Sequence, residues 1–119
     1  MHLDLPQEGK YTGQNGLRGH LKDIQLLDKQ NGTVFAARWN WSSRGKVWRL
    51  HLWLEREVRF ADGRPSEYRW NPAGYVSKVD NWKGNWKVTF NWPLMGELWF
   101  KSEAEAEDFL ISNWRFIHE

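Results

Sequence analysis

Arginine, histidine and tryptophan side chains, which together can hold a nucleic acid, fall on one face of a predicted strand pair. Its register places Arg38 directly across from Arg49, and His51 and Trp53 follow on the same face. Opposed like charges destabilise a strand pair unless an anion or an acidic group neutralises them. Cations bind phosphates, and an indole stacks on an unpaired base with about 1–3 kcal/mol per base. We therefore expect this face to bind single-stranded DNA or RNA.

A second candidate is the turn over residues 80–84, which carries Trp82 and Lys83 at its tip. An exposed loop tryptophan beside a lysine can anchor a nucleic acid or a protein partner. Lys87, in the strand that follows, is expected on the first candidate's sheet face, although the sequence does not place its strand relative to Arg38. The alternative is that Trp82 folds back as a lid over the sheet edge.

The same residues also have a purely structural interpretation. Arg38 and Arg49 can pair with Glu55 or with the acidic start of a C-terminal helix, because opposite charges attract at short range. Trp53 can pack under the N-terminal segment or against a second subunit. The sequence leaves both interpretations open.

Motifs typical of enzymes are missing from the sequence. The chain has no cysteine, no nucleophile elbow, no phosphate-binding loop and no His-Glu-x-x-His zinc motif, and its four histidines lack metal-ligand spacing. Glu55 and Glu57 form the one carboxylate pair on a strand face, and their pairing with Arg69 and neighbouring bases explains them more simply. We predict a non-catalytic protein with no metal site and no cofactor.

Tryptophan is far more abundant than an ordinary core requires, at ten residues of 119. Seven of the ten fit the apolar faces of strands or the helix: Trp39, Trp41, Trp48, Trp70, Trp86, Trp92 and Trp114. Trp99 has no assigned face, because the register of the last hairpin is open. Trp53 and Trp82 remain as the surplus, and the functional hypothesis depends mainly on them.

Strands are predicted through most of the chain. Lys46–Phe60 alternates apolar and polar residues over a length that requires a bend or bulge. Other strands are expected on both sides of an Asn31-Gly32 turn and in three later segments, Tyr75–Val79, Trp86–Trp92 and Leu98–Lys101.

Two hairpin registers follow from matching apolar and charged positions. In the first, Trp39 faces Trp48 across a turn at residues 42–45. In the second, Val58 faces Tyr68, which places Glu57 opposite Arg69.

The last segment predicts a helix. Ser102 and Glu105 have the spacing of a capping box, and acidic residues fill the first turn. An apolar stripe follows: Ala106, Phe109, Leu110, Trp114 and Ile117. The predicted fold is α+β, a curved antiparallel meander of about six or seven strands packed by one C-terminal helix.

Composition limits the class of protein. Residues 1–16 are expected to be a flexible arm, and residues 17–119 one domain. The start lacks a signal-peptide pattern and no apolar run could span a membrane, so a soluble cytoplasmic protein without membrane contact is expected. The net charge of +2 is small for a duplex binder. Two further functions stay open, a protein-interaction module that could be homodimeric and a sugar-binding module.

Overall fold

The computed structural model places seven antiparallel strands in one sheet, in the order of the chain. It describes residues 3–12, 18–28, 34–40, 47–79, 85–90 and 96–114. The strands are β1 Gly9–Thr12, β2 Arg18–Leu26, β3 Val34–Asn40, β4 Arg49–Val58, β5 Glu67–Lys78, β6 Trp86–Phe90 and β7 Gly96–Phe100. One helix, α1 Glu103–Ser112, follows them. The predicted meander with a C-terminal helix is confirmed.

The helix covers one face of the sheet, where the larger core lies. Leu50, Leu52 and Leu54 of β4 point to this face and are buried. Ala106 and Leu110 of α1 pack into the same core. The Ser102 hydroxyl accepts a hydrogen bond from the Glu105 backbone N–H at 3.2 Å, which confirms the predicted N-cap.

The opposite face carries a second core of a different composition. It consists of five buried residues, three of them aromatic: Leu21, Phe35, Ala37, Trp53 and Trp70. Leu3 and Leu5, from the segment before β1, pack against it. Central strands of this sheet are therefore buried on both faces, which is unusual for an antiparallel meander.

The two predicted hairpin registers are each wrong by one residue. Trp39 pairs with Arg49 rather than with Trp48. In the next hairpin Glu57 pairs with Tyr68, so Glu57 does not face Arg69. The reason lies in the central strands, where residues 34–37 of β3 and 52–54 of β4 are all buried. A strand that is apolar on both faces does not distinguish one register from its neighbour, and a shift of one residue moves every side chain to the other face.

Irregular pairing occurs at two places. The pairing of β4 with β5 shifts between Leu52 and Trp53, within the segment whose length predicted a bend or bulge. The pairing of β2 with β3 shifts between Lys22 and Gln25, where Asp23 has a φ of 55°. Glu8 Oε1 accepts the Asp23 backbone N–H at 2.9 Å, so a side chain satisfies a donor at the second irregularity.

The predicted arm contains structure. Strand β1 lies within residues 1–16 and pairs with β2 as one edge of the sheet. The Asn31-Gly32 turn, Trp92 and Ile117 lie outside the described residues. Among the residues that the structure describes, no helix is long and apolar enough to cross a membrane.

Gly74 is a point where the sheet and helix approach closely. A Cβ at Gly74 lies 3.0 Å from Leu110 Cδ1 and 3.3 Å from the Thr89 carbonyl oxygen. We expect Gly74→Ala to lower the free energy of unfolding by about 1–3 kcal/mol through overpacking. Gly96→Ala is the control, since its Cβ meets only Phe90 at an ordinary 3.7 Å. Urea unfolding measures both, and equal losses would contradict the close approach.

Candidate nucleic-acid interface

Arg38 is held by carboxylates on the helix face of the sheet. Its guanidinium donates to both carboxylate oxygens of Glu107, at 2.5 and 3.0 Å. Glu103 and Asp23 lie at 3.8 and 3.4 Å. The hydrogen bonds that Arg38 donates to Glu107 raise the pKa of Arg38. Its charge is therefore compensated within the chain, and Arg38 is a poor candidate for a phosphate contact.

Arg49 does not oppose Arg38, contrary to the predicted register. Arg38 pairs with Leu50 instead, and the two arginines are linked through Glu103, which lies 3.7 Å from Arg49 Nη1. The alternative that the acidic helix start compensates them is confirmed. The Arg49 guanidinium also lies over the Trp86 ring, 5.0 Å from its centroid, so that part of its surface faces an indole.

Trp53 is fully buried, and the expectation of an exposed ring is wrong. Its ring stacks on Phe35 with centroids 5.0 Å apart and lies in the core that Leu3 and Leu5 cover. A base cannot stack on a ring with no accessible surface. The alternative that Trp53 packs under the N-terminal segment is the one that the structure bears out.

His51 belongs to an aromatic row beside the second core. Its ring stacks on Trp53 and on Tyr75, with centroids 5.5 and 5.3 Å away. Nδ1 lies 3.1 Å from the Arg49 carbonyl oxygen, which can only accept, so Nδ1 carries the proton. Burial lowers the pKa of His51 to about 4. His51 is neutral at pH 7 and supplies no charge to a phosphate.

Lys87 remains a candidate among the described residues, whereas Trp82 and Lys83 lie outside them. Lys87 Nζ is 5.5 Å from the centroid of the Trp99 ring, which assigns Trp99 a position across from Lys87 in β7. Glu97 lies 3.5 Å from the same nitrogen. Lys87 therefore lies between an aromatic ring and one carboxylate, both of them on the edge strand β7.

Cations and indoles alternate along one end of the sheet, where β3 and β5 end and β4 and β6 begin. Lys22 lies over Trp48 at 4.4 Å, and Lys78 and Arg49 lie over Trp86 at 5.9 and 5.0 Å. Lys87 and Trp99 extend the group to β7 on the face opposite Trp86, because successive residues of a strand point to opposite faces. Five strands, β2 and β4 to β7, thus contribute residues. We call this group the cation–aromatic rim: Lys22, Trp48, Arg49, Lys78, Trp86, Lys87 and Trp99.

The alternation of strand residues predicts sites on a sheet face, and it therefore does not predict a rim at the strand ends. Its signal in the sequence is an indole next to a cation at a strand end, as in Trp48-Arg49 and Trp86-Lys87. Acidic side chains slightly outnumber lysine and arginine within the described residues. The net positive charge therefore comes from the remaining residues, and the rim adjoins two of those intervals, 41–46 and 80–84.

A double-mutant cycle tests the compensation of Arg38. We expect the coupling free energy between Arg38→Ala and Glu107→Ala to be about 1–2 kcal/mol, because the pair is bidentate and partly buried. The control cycle uses Arg59 and Glu57, whose contact at 3.3 Å is exposed and should couple by less than about 0.5 kcal/mol. Equal coupling in the two cycles would show that Arg38 is not specially held.

The buried His51 makes stability depend on pH. The unfolded chain protonates His51 near pH 6.5 and the folded chain near pH 4, so folding favours the neutral ring. The contribution is complete above pH 6.5 and is lost as the pH falls towards 4, by up to about 3 kcal/mol. In His51→Phe this loss disappears. Between pH 7 and 4.5 the free energy of unfolding of the unmodified protein should therefore fall relative to that of His51→Phe, and a constant difference would contradict the assignment.

Comparison with known proteins found no relative of this chain. No protein-family model matches the chain, and no curated protein and no solved structure matches it. The part of the chain that the structure describes holds no group of three His, Cys, Asp or Glu residues placed to bind a metal ion.

Proposed function

We propose that this chain is a non-catalytic protein that binds single-stranded nucleic acid, DNA or RNA, along the cation–aromatic rim. The observation that carries the proposal is the alternation of cations and indoles over five strands at one end of the sheet. Proteins that bind single strands without strict sequence preference combine these two groups, cations for the backbone and rings for the bases.

The cations of the rim are neutralised less by nearby carboxylates than Arg38 is. Lys22 and Lys78 contact indole rings and form no ion pair with a described acidic residue. Arg49 and Lys87 each have one carboxylate, at 3.7 and 3.5 Å, which are long contacts. An indole attracts a cation without neutralising its charge. The positive charge of these side chains can therefore still attract a phosphate.

The indoles of the rim are accessible in a way that Trp53 is not. Trp48, Trp86 and Trp99 are half-buried, and the neighbouring Val47 and Lys78 are exposed. A half-buried ring fixed by the sheet presents its free surface at little cost in side-chain entropy. Stacking on such rings adds about 1–3 kcal/mol per base to the phosphate contacts.

The proposal predicts binding with a measurable salt dependence. Addition of an oligothymidylate or oligouridylate should quench tryptophan fluorescence. If the four rim cations each neutralise one phosphate, log K should fall with log salt at a slope of about −2.8. Lys22→Ala with Lys78→Ala should flatten this slope by about 1.4. A duplex of equal length should bind less well, because its bases are not free to stack.

The control variant removes the same charge at the opposite end of the sheet. Arg59→Ala with Arg64→Ala changes two residues that are 84% and 63% exposed in the β4–β5 connection. This variant should leave affinity and slope unchanged. Absence of quenching by both oligonucleotides at low salt, or an equal loss in the two variants, would overturn the proposal.

A further inference from the structure

The second core depends on a short cover from the N-terminal segment. Residues 3–8 precede β1 and lie on the face opposite α1, where Leu3 and Leu5 contact the aromatic core. Leu3 donates its backbone N–H to Glu55 Oε2 at 3.1 Å. Pro6 is buried, whereas Asp4 and Gln7 are exposed. The cover is thus an extended segment with apolar side chains at alternate positions and one backbone contact to a carboxylate.

Two buried donors beneath this cover are unsatisfied. The indole Nε1 atoms of Trp53 and Trp70 have no hydrogen-bond partner among the described residues, although the two side chains are only 0% and 2% exposed. A buried N–H that has lost water and gained no acceptor costs free energy, and such groups are rare in native cores. Residues 3–8 therefore supply apolar packing to this core but no hydrogen-bond acceptor for the two indole N–H groups.

We propose that the surface formed by Phe35, Trp53 and Trp70 is a docking surface for an extended peptide segment of a protein partner, and that residues 3–8 occupy it in the free chain. The partner segment carries apolar side chains two residues apart, like Leu3 and Leu5, and an N–H for Glu55. It also presents backbone carbonyls to the two indole N–H groups. This surface lies on the aromatic face of the sheet and is independent of the cation–aromatic rim.

The unsatisfied donors give the exchange its driving force. A ligand shifts an equilibrium only through a difference in affinity between two states. A partner segment that supplies acceptors to the two indole N–H groups binds the surface more favourably than residues 3–8, which supply none. The cover ends at Gly9, the first residue of β1, whose φ of 108° is accessible mainly to glycine.

Competition with a labelled peptide tests the docking surface on the full chain. The probe is a fluorescent peptide with the sequence of residues 1–8. In the unmodified protein the attached segment has an effective concentration in the millimolar range, so micromolar peptide should bind only weakly. In Leu3→Ala with Leu5→Ala the attached segment no longer competes, and the peptide should bind at least tenfold more tightly.

Two controls make this result specific. The variant Asp4→Ala with Gln7→Ala changes exposed residues of the same segment and should bind the peptide as weakly as the unmodified protein. A peptide in which both leucines are alanine should not bind the leucine variant. If the leucine variant does not bind the probe more tightly, or binds both peptides equally, the proposal is wrong.

Hydrogen exchange supplies a second test that needs no variant. If residues 3–8 detach as a local unit, the indole N–H groups of Trp53 and Trp70 exchange at a rate that low denaturant concentrations leave unchanged. Addition of the unlabelled probe at several times the millimolar effective concentration of the attached segment should slow that exchange several-fold. Exchange of both indoles only through global unfolding would overturn the proposal.

Discussion

The pairing of β3 with β4 is the constraint on which the rest of the structure depends. Val34 and Ala36 face the core under α1, and Phe35 and Ala37 face the aromatic core on the other side. Two separate layers, the helix and the N-terminal segment, must therefore be present to cover one pair of strands. Because β4 contributes alternate residues to both cores, a single register sets the composition of each.

This register also determines which cationic side chains lie close to carboxylates. It directs Arg38 towards α1, where Glu103 and Glu107 compensate it. The acidic first half of α1 thus connects the helix to the central strands. It also neutralises Arg38, which is therefore a poor candidate for a phosphate contact. Lys22 and Lys78 instead lie where the sheet ends, next to indole rings that attract them without neutralising their charge.

Local signals in the sequence predicted the fold well. The N-cap at Ser102, the strand alternation around Leu50–Leu54 and the order of the elements follow from short-range rules. The strand register could not be predicted from the same rules. The rule of one apolar and one polar face fails for a strand that is apolar on both faces. The same failure led to the wrong exposure for Trp53, since its polar neighbours Arg49 and Glu55 indicated a solvated face. The cover over Trp53 comes from residues nearly fifty positions away, and no local pattern reports it.

The central claim is that an external single strand contacts the end of the sheet and not its aromatic face. Nuclear magnetic resonance of the indole N–H groups distinguishes these surfaces in one titration. On addition of a single-stranded oligonucleotide, the resonances of Trp48, Trp86 and Trp99 should shift, while those of Trp53 and Trp70 stay in place. Shifts confined to Trp53 and Trp70, or no shift in any indole, would contradict the account.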